Sequence, residues 1–422
     1  MRGDEIKETG VLLGTELDDL TVLTRDVHRA VANRLFGLLG NVGKPVQLLH
    51  DGIAAIAYTS TRVGVRVVPP VVAAVTGELR DPTAESGHDL PKGQFALGAL
   101  NGFRGDRLIT QHRPVATLMR MRTHDGRLRR VMANVAHDAG ADATGKLIVF
   151  AHGLCENDRY WRFRAEKNWG DPSVTFGSKL REDEGWTPLY VGFNSGLHVS
   201  DNGRELAERL EQLVSVWPVP VTEIALVGHS MGGLIVRSAA HQADERNLVW
   251  ATLLKHVIGL GAPHLGAPLE RLVARGTHGM AKLPETKPFA TWLNKRSVGI
   301  KDLRYGAVLE ADWSGFDPDT CLDDRCTDAT LLPGVHYAVV SATLSKEPHG
   351  WLAHDLLVQH GSAHGIGPTR RIAFDEARTL HVGGKTHFDL LGHPEVYAKL
   401  RAWLTAEVPE AIADDESAAH AG

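Results

Sequence analysis

Cysteine is scarce in this chain, three in 422 residues, too few for a disulfide framework. Cys321 and Cys326 sit close together in an acidic loop. They form either a local bridge in an oxidising compartment or two free thiols in a reducing one. Neither sign of charge dominates: the formal net charge is −5, which gives no reason to expect nucleic acid or an anionic membrane as partner. The first residues, Met1-Arg2-Gly3-Asp4-Glu5, are charged and lack the apolar core of a secretory leader. The apolar stretch Val67–Gly77 is interrupted by Pro69-Pro70 and is too short to span a bilayer. Asp312, Asp317, Asp319, Asp323, Asp324 and Asp328 crowd one region without regular ligand spacing, so no metal is expected. These absences point to a cytoplasmic protein, and 43% hydrophobic with 23% charged residues is ordinary for a soluble globular chain.

The first hundred residues predict helix. Leu20, Leu23, Val27, Val31, Leu35 and Leu38 recur at three- and four-residue spacing over 18–39, with Asp18 as N-cap and Gly40 as stop. Pro45 opens a second helix with Val46, Leu49, Ile53 and Ile56 on one face. A third apolar segment follows, broken at Pro69-Pro70, and residues 81–106 read as a Gly-, Asp- and Pro-rich connecting loop. The expected domain plan is a helical N-terminal extension over 1–105. Its apolar faces would meet the main domain, a second subunit in a homo-oligomer, or a lipid surface.

Beyond residue 115 the pattern changes to strands. Thr117–Arg122 and Leu128–Ala133 flank His124-Asp125-Gly126, a hairpin signal. Apolar β-type runs then alternate with helical segments: Leu147–Ala151, Leu189–Phe193, Ile224–Gly228, Val257–Leu260, Tyr337–Ala342 and Leu380–Val382. The helices between and after them include Glu205–Trp217, Met231–His241 and Pro394–Leu404. This alternation predicts an α/β fold over 106–408, a mostly parallel sheet covered by helices on both faces. The interval 266–334 is too long for a simple connection and reads as an inserted lid. The acidic, alanine-rich tail 409–422 has no core-forming pattern and is expected to be disordered.

The chemistry centres on Gly228-His229-Ser230-Met231-Gly232, which follows the apolar run Ile224–Val227 and precedes a helical segment. Glycines on both sides of a serine permit a sharp strand-to-helix turn that lifts its hydroxyl off the sheet edge, beside a helix N-terminus. A serine hydroxyl needs a base within hydrogen-bond reach, and that base needs an orienting acid. Such groups gather at the carboxyl ends of parallel strands. On that criterion His387, in the loop after Leu380–Val382, is the base, ahead of His393, and His229 projects elsewhere from the turn. Asp355, after Tyr337–Ala342, is the acid, ahead of Asp375 and Asp389. The amides of Met231 and Leu154 are the expected oxyanion donors. Within the lid, Phe289 and Trp292 are the candidate acyl-binding residues, and Asn194–His198 is a candidate border of the site.

Phe150-Ala-His-Gly153, Gly228-His-Ser-Met-Gly-Gly233, Asp355 and Gly384-Lys-Thr-His387, in that order, resemble the α/β-hydrolase superfamily. Within it they are similar to bacterial lipases and esterases, including relatives of the GPI inositol deacylases. The segment Gly259–Pro268 resembles that branch's strand-end Thr-Pro-His-x-Gly type, whereas Leu356 stands where many relatives have glycine after the acid. The resemblance implies hydrolysis of carboxylic ester or lipid substrates through an acyl-serine intermediate, with no cofactor. The same motifs would serve an acyltransferase, in which an alcohol resolves the acyl-enzyme, and a non-enzymatic scaffold could retain the fold.

Overall fold

The computed structural model describes residues 2–79, 91–113, 115–327, 329–347 and 354–406. The tail expected after Val408 lies outside them. Seven strands form one sheet: β1 (Arg120–Thr123), β2 (Lys146–Ala151), β3 (Thr187–Gly192), β4 (Glu223–His229), β5 (Leu254–Leu260), β6 (His336–Thr343) and β7 (Thr379–Gly383). Their spatial order is β1-β3-β2-β4-β5-β6-β7. Only β1 runs antiparallel, against β3; every other neighbouring pair is parallel. The central strands are continuous apolar runs because both faces are covered. Leu147, Val149, Leu226 and Ile224 pack on the helices Val199–Val216 and Met231–Glu245, while Ile148, Phe150, Ala225 and Val227 pack on Phe176–Glu184 and Pro394–Thr405. Truncating a fully buried side chain such as Leu226 to alanine would cost about 2–5 kcal/mol.

The hairpin expected at 117–133 does not form. Met121 and Arg129 share one isolated antiparallel bridge, and the second expected strand gives way to the helix Met132–Ala139, whose Met132, Val135, Ala136 and Ala139 are buried. Packing against the core overrides the turn signal there.

Among the described residues, the N-terminal segment contains the α-helices α1 (Gly3–Leu39), α2 (Lys44–Glu78) and α3 (Pro91–Thr110), with a 3-10 turn at Gly40–Gly43 between the first two. The first begins fifteen residues before the expected Asp18 cap. Asp18 is instead a buried carboxylate gripped by Arg62 at 2.7 Å and Arg66 at 2.6 Å. Gly40 does end α1, at φ 57°, and Pro45 lies in the first turn of α2. Pro69 and Pro70 do not divide α2. Each lacks an N–H and so frees a carbonyl one turn back, yet α1 packs tightly on this stretch. A Cβ on Gly14 would come within 2.8 Å of the Val65 carbonyl oxygen, and one on Gly10 within 2.6 Å of that of Pro69.

The expected loop at 81–106 is a correction as well, for its second half is α3, and the boundary expected at residue 105 falls inside that helix. Its glycines are contact points. A Cβ on Gly98 would meet the Glu156 carbonyl at 2.8 Å, and one on Gly102 the Cys155 sulfur at 2.3 Å. The lid interval contains the helices Pro268–Met280, Lys287–Leu293 and Val298–Asp302. Glu270, buried within it, binds Arg296 at 2.6 Å and Arg304 at 3.2 Å. Two aspartates of the acidic region are paired with cations: Lys301 holds Asp319 at 2.8 Å and Arg370 holds Asp324 at 2.9 Å. Asp312 accepts from the backbone N–H groups of Val308, Leu309 and Thr327. Cys321, Cys326 and Cys155 are free thiols.

Candidate active site

Strand β4 delivers Ser230 at φ 53° and ψ −125°, a conformation that costs a non-glycine residue about 1–3 kcal/mol. The flanking glycines are obligatory on space alone. A Cβ on Gly228 would lie 2.3 Å from the Gly232 backbone, and one on Gly232 would lie 2.3 Å from the Ala151 carbonyl oxygen. The turn is pinned at both ends: the Ser230 N–H donates to the Leu260 carbonyl at 2.8 Å, and its carbonyl accepts from Gly233 at 2.9 Å. Met231 opens the helix, so its N–H is one of the amides without an intrahelical acceptor.

His387 lies beyond β7 and is buried with Asp355. Its Nδ1 is 2.6 Å from the Asp355 Oδ2, and its own N–H donates to the Asp355 carbonyl at 3.0 Å. The other carboxylate oxygen of Asp355 accepts from Val358 at 2.8 Å and Leu357 at 3.0 Å. Burial would raise the Asp355 carboxyl, but His387 and these two amides outweigh it and hold it below its ordinary value. The His387 Nε2 is buried without a hydrogen-bond partner among the described residues. An imidazole anchored at Nδ1 on a carboxylate, with Nε2 unengaged, is arranged to accept a proton. Leu356 adopts φ 91°, a left-handed conformation that favours glycine over a residue with a Cβ.

Ser230 and His387 line one cavity of about 660 Å³. Leu154 is on its wall. In the same turn the Gly153 N–H is already taken, donating to the Glu156 carboxylate at 2.7 Å, which leaves Leu154 as the turn's available amide. From the lid the cavity receives Leu269, Val273, Trp292 and Leu293. Of the two expected acyl-binding residues, Trp292 lines this cavity and Phe289 does not: Phe289 is 41% exposed on the helix Lys287–Leu293. Much of the remaining apolar wall comes from α3, through Ala99, Leu100 and Phe103.

The alternative acids, Asp389 and Asp375, have their own partners. The Asp389 carboxylate accepts from the Thr386 N–H and hydroxyl at 2.9 and 2.7 Å, shaping the loop before the last helix. His393 is the N-cap of Pro394–Thr405. Asp375 caps the short turn before β7. Asn194 and Ser195 brace the site from outside the cavity: Ser195 Oγ accepts from Cys155 N–H at 3.0 Å, and Asn194 Nδ2 donates to the Gly105 carbonyl at 3.1 Å.

Sequence reasoning missed Glu156. It is buried and faces His229, with carboxylate oxygens 3.0 and 3.1 Å from the His229 Nδ1. The His229 Nε2 is 3.3 Å from the His387 carbonyl oxygen. Both ring nitrogens therefore face acceptors, an arrangement that favours the doubly protonated ring. Burial works against that charge, but Glu156 outweighs it and raises the His229 pKa. Burial likewise opposes ionised Glu156, whose carboxyl is nonetheless held low by His229 and the Gly153 amide. The available signal was the spacing Gly153-x-x-Glu156 after a strand, beside an apolar strand ending in histidine.

A family model described as the PGAP1-like alpha/beta domain matches residues 142–320. Among solved structures, the Bacillus licheniformis lipase BlEst2 in mature form is 18% identical, with 62% of this chain and 92% of that one covered and a TM-score of 0.40. An esterase of Pyrococcus furiosus is 15% identical, covering 62% and 82% with a TM-score of 0.32. An alpha/beta hydrolase fold protein from Chitinophaga pinensis is 12% identical, covering 63% and 90% with a TM-score of 0.35. Residues 142–320 are thus similar to a PGAP1-like alpha/beta domain, and they contribute β2 to β5 of the mostly parallel seven-stranded sheet.

Proposed function

We propose that this protein is a serine hydrolase cleaving carboxylic esters with apolar acyl groups, through an acyl-serine intermediate. The observation that carries the reading is the 2.6 Å contact of His387 Nδ1 with Asp355, which leaves Nε2 unpartnered in the cavity that Ser230 lines. In the first half-reaction Ser230 Oγ attacks the ester carbonyl carbon and its proton passes to His387 Nε2. The oxyanion takes hydrogen bonds from the Leu154 and Met231 amides. The C–O bond to the alcohol breaks as His387 returns the proton to the departing oxygen. Water, deprotonated by the same nitrogen, then attacks the acyl carbon, the bond to Ser230 Oγ breaks as His387 returns the proton to that oxygen, and the acid is released. Asp355 remains ionised throughout and fixes the imidazole tautomer.

The cavity walls support an apolar acyl group. Leu100, Phe103, Leu269, Val273, Trp292 and Leu293 would contribute about 25 cal/mol for each Å² of acyl surface they cover. The test is a series of p-nitrophenyl esters from acetate upward, assayed with and without a competing alcohol. Hydrolysis that strengthens from acetate to medium-chain esters supports the reading. Absence of turnover on every ester contradicts it, and partition mainly to the alcohol product would make the protein an acyltransferase.

A further inference from the structure

The outer face of α2 carries an apolar seam that is exposed among the described residues. Its side chains Val46, Leu49, Ile53 and Ile56, then Val63, Val67, Val71 and Val75, are each more than half exposed. Helix α1 lies between α2 and the hydrolase body. It is tied to the body along its length by Glu8–Arg113 at 3.0 Å, Glu16–Arg104 at 2.8 Å, Asp19–Lys295 at 2.6 Å and Arg34–Glu285 at 2.6 Å. The inter-element ion pairs of α2 among the described residues, from Arg62, Arg66 and Glu78, all go to α1. The face opposite α1 therefore points away from the body, open to a partner.

The pattern of that face specifies the partner. Positions 46, 49, 53, 56, 60, 63 and 67 alternate three- and four-residue steps, the seam spacing of helices packed on helices. Ser60, exposed and polar, stands at the middle. About that residue the seam is nearly symmetric: in an antiparallel pairing of two α2 helices Leu49 meets Val71 and Ile53 meets Val67, while Ile56 with Val63 and Val46 with Val75 are offset by one residue, about 1.5 Å along the axis. Ser60 then meets its own copy on the two-fold axis. A single polar residue in such a seam fixes register, and self-complementarity about a dyad is what a two-fold interface requires. The seam is about 44 Å long at 1.5 Å per residue. Burying half of each apolar side chain on both copies removes on the order of 1,000 Å² from water, the size at which specific interfaces begin.

A lipid surface fits less well. Helices lying on bilayers carry Lys and Arg along the polar face and Trp, Phe or Leu on the other. Residues 45–61 contain no Lys, Arg, Trp or Phe, and Tyr58 is turned inward against His28, at 5.7 Å between ring centroids. We infer that a second copy of this chain docks on α2 through an antiparallel two-fold seam centred on Ser60, with the two hydrolase bodies on the outside.

Sedimentation equilibrium of the full chain at micromolar concentration tests this. The wild type should sediment at twice the chain mass, and Ile53→Glu should sediment at one chain mass with unchanged far-UV circular dichroism. Adding Val67→Lys to Ile53→Glu should restore the dimer, because the introduced charges would face each other across the dyad twice. Independently, Ser60→Cys should give a disulfide-linked dimer under mild oxidation, whereas the wild type with its own three cysteines should not. A monomeric wild type, a dimer indifferent to Ile53→Glu, or failure of both the charge-pair rescue and the cross-link would overturn the inference. So would a monomer that floats with phosphatidylcholine–phosphatidylglycerol vesicles and loses them on Ile53→Glu, which would make the face a lipid contact.

Discussion

Glu156 and His229 form a buried ion pair, 3.0 Å apart, that joins three loops of the site. Glu156 also accepts the Gly153 N–H, and His229 also donates to the His387 carbonyl. The turn carrying Leu154, the end of β4 and the loop carrying His387 are thus fixed to one another by a single pair of charges. Removing one member leaves the other buried and uncompensated, a loss of about 3–5 kcal/mol.

Glu156→Gln should therefore act through position. We expect kcat to fall by about 10²-fold, the effect of misplacing catalytic groups by about 1 Å, with KM little changed and a lowered melting temperature. A raised KM with unaltered kcat would mean that Glu156 contacts substrate instead.

The triad assignment predicts a sharp contrast between neighbours. His387→Ala should lower kcat by about 10⁶ and Asp355→Asn by about 10⁴. His393→Ala and Asp389→Asn should each stay within about threefold of wild type, since substitutions away from the reacting groups cost little. Steady-state ester hydrolysis by the four variants checks this. A severe Asp389 effect beside a mild Asp355 one would transfer the orienting role.

Chain-length preference should follow the cavity wall. Phe103→Ala and Trp292→Ala should each lower kcat/KM on medium-chain esters by about tenfold, equivalent to about 1.4 kcal/mol of lost apolar contact, while sparing acetate. Phe289→Ala should be indifferent to chain length. Equal losses on all esters for Phe103→Ala would make α3 a structural support.

Stability should depend on pH at both limbs. Asp355 and Glu156 have lowered pKa values when folded. Their contribution is complete above the ordinary carboxylate range and is lost as pH falls through the folded values. His229 is raised, so its contribution is complete below its ordinary value and is lost as pH rises through the folded one. Urea unfolding should show greatest stability between about pH 4.5 and 6.5. His229→Gln should flatten the alkaline limb, and an unchanged limb would contradict the imidazolium assignment.

The sheet and the Ser230, Asp355 and His387 positions were legible because each rests on a local rule: continuous apolar strands, a glycine-flanked turn, and strand-end loops in a fixed chain order. What escaped depended on contacts distant in sequence. Helix α3 read as loop because glycine disfavours helices, whereas Gly98 and Gly102 are there to admit the backbone and side chain of residues 155 and 156. Phe289 and Trp292 are three residues apart on one short helix, and only the packing of that helix decides which enters the cavity. Glu156 acquires its role only because the fold brings His229, at the end of β4, opposite it. The proline pair in α2 misled for the same reason, since α1 supplies the packing that holds the interrupted helix together.

The proposed activity depends on Ser230 as the nucleophile, activated by His387. Labelling with a fluorophosphonate, followed by intact mass and peptide mapping, reads this at the residue itself. One adduct per chain is expected, located on Ser230, absent in Ser230→Ala and slowed by several orders of magnitude in His387→Ala. An unlabelled wild type, or an adduct that persists in Ser230→Ala, would contradict it.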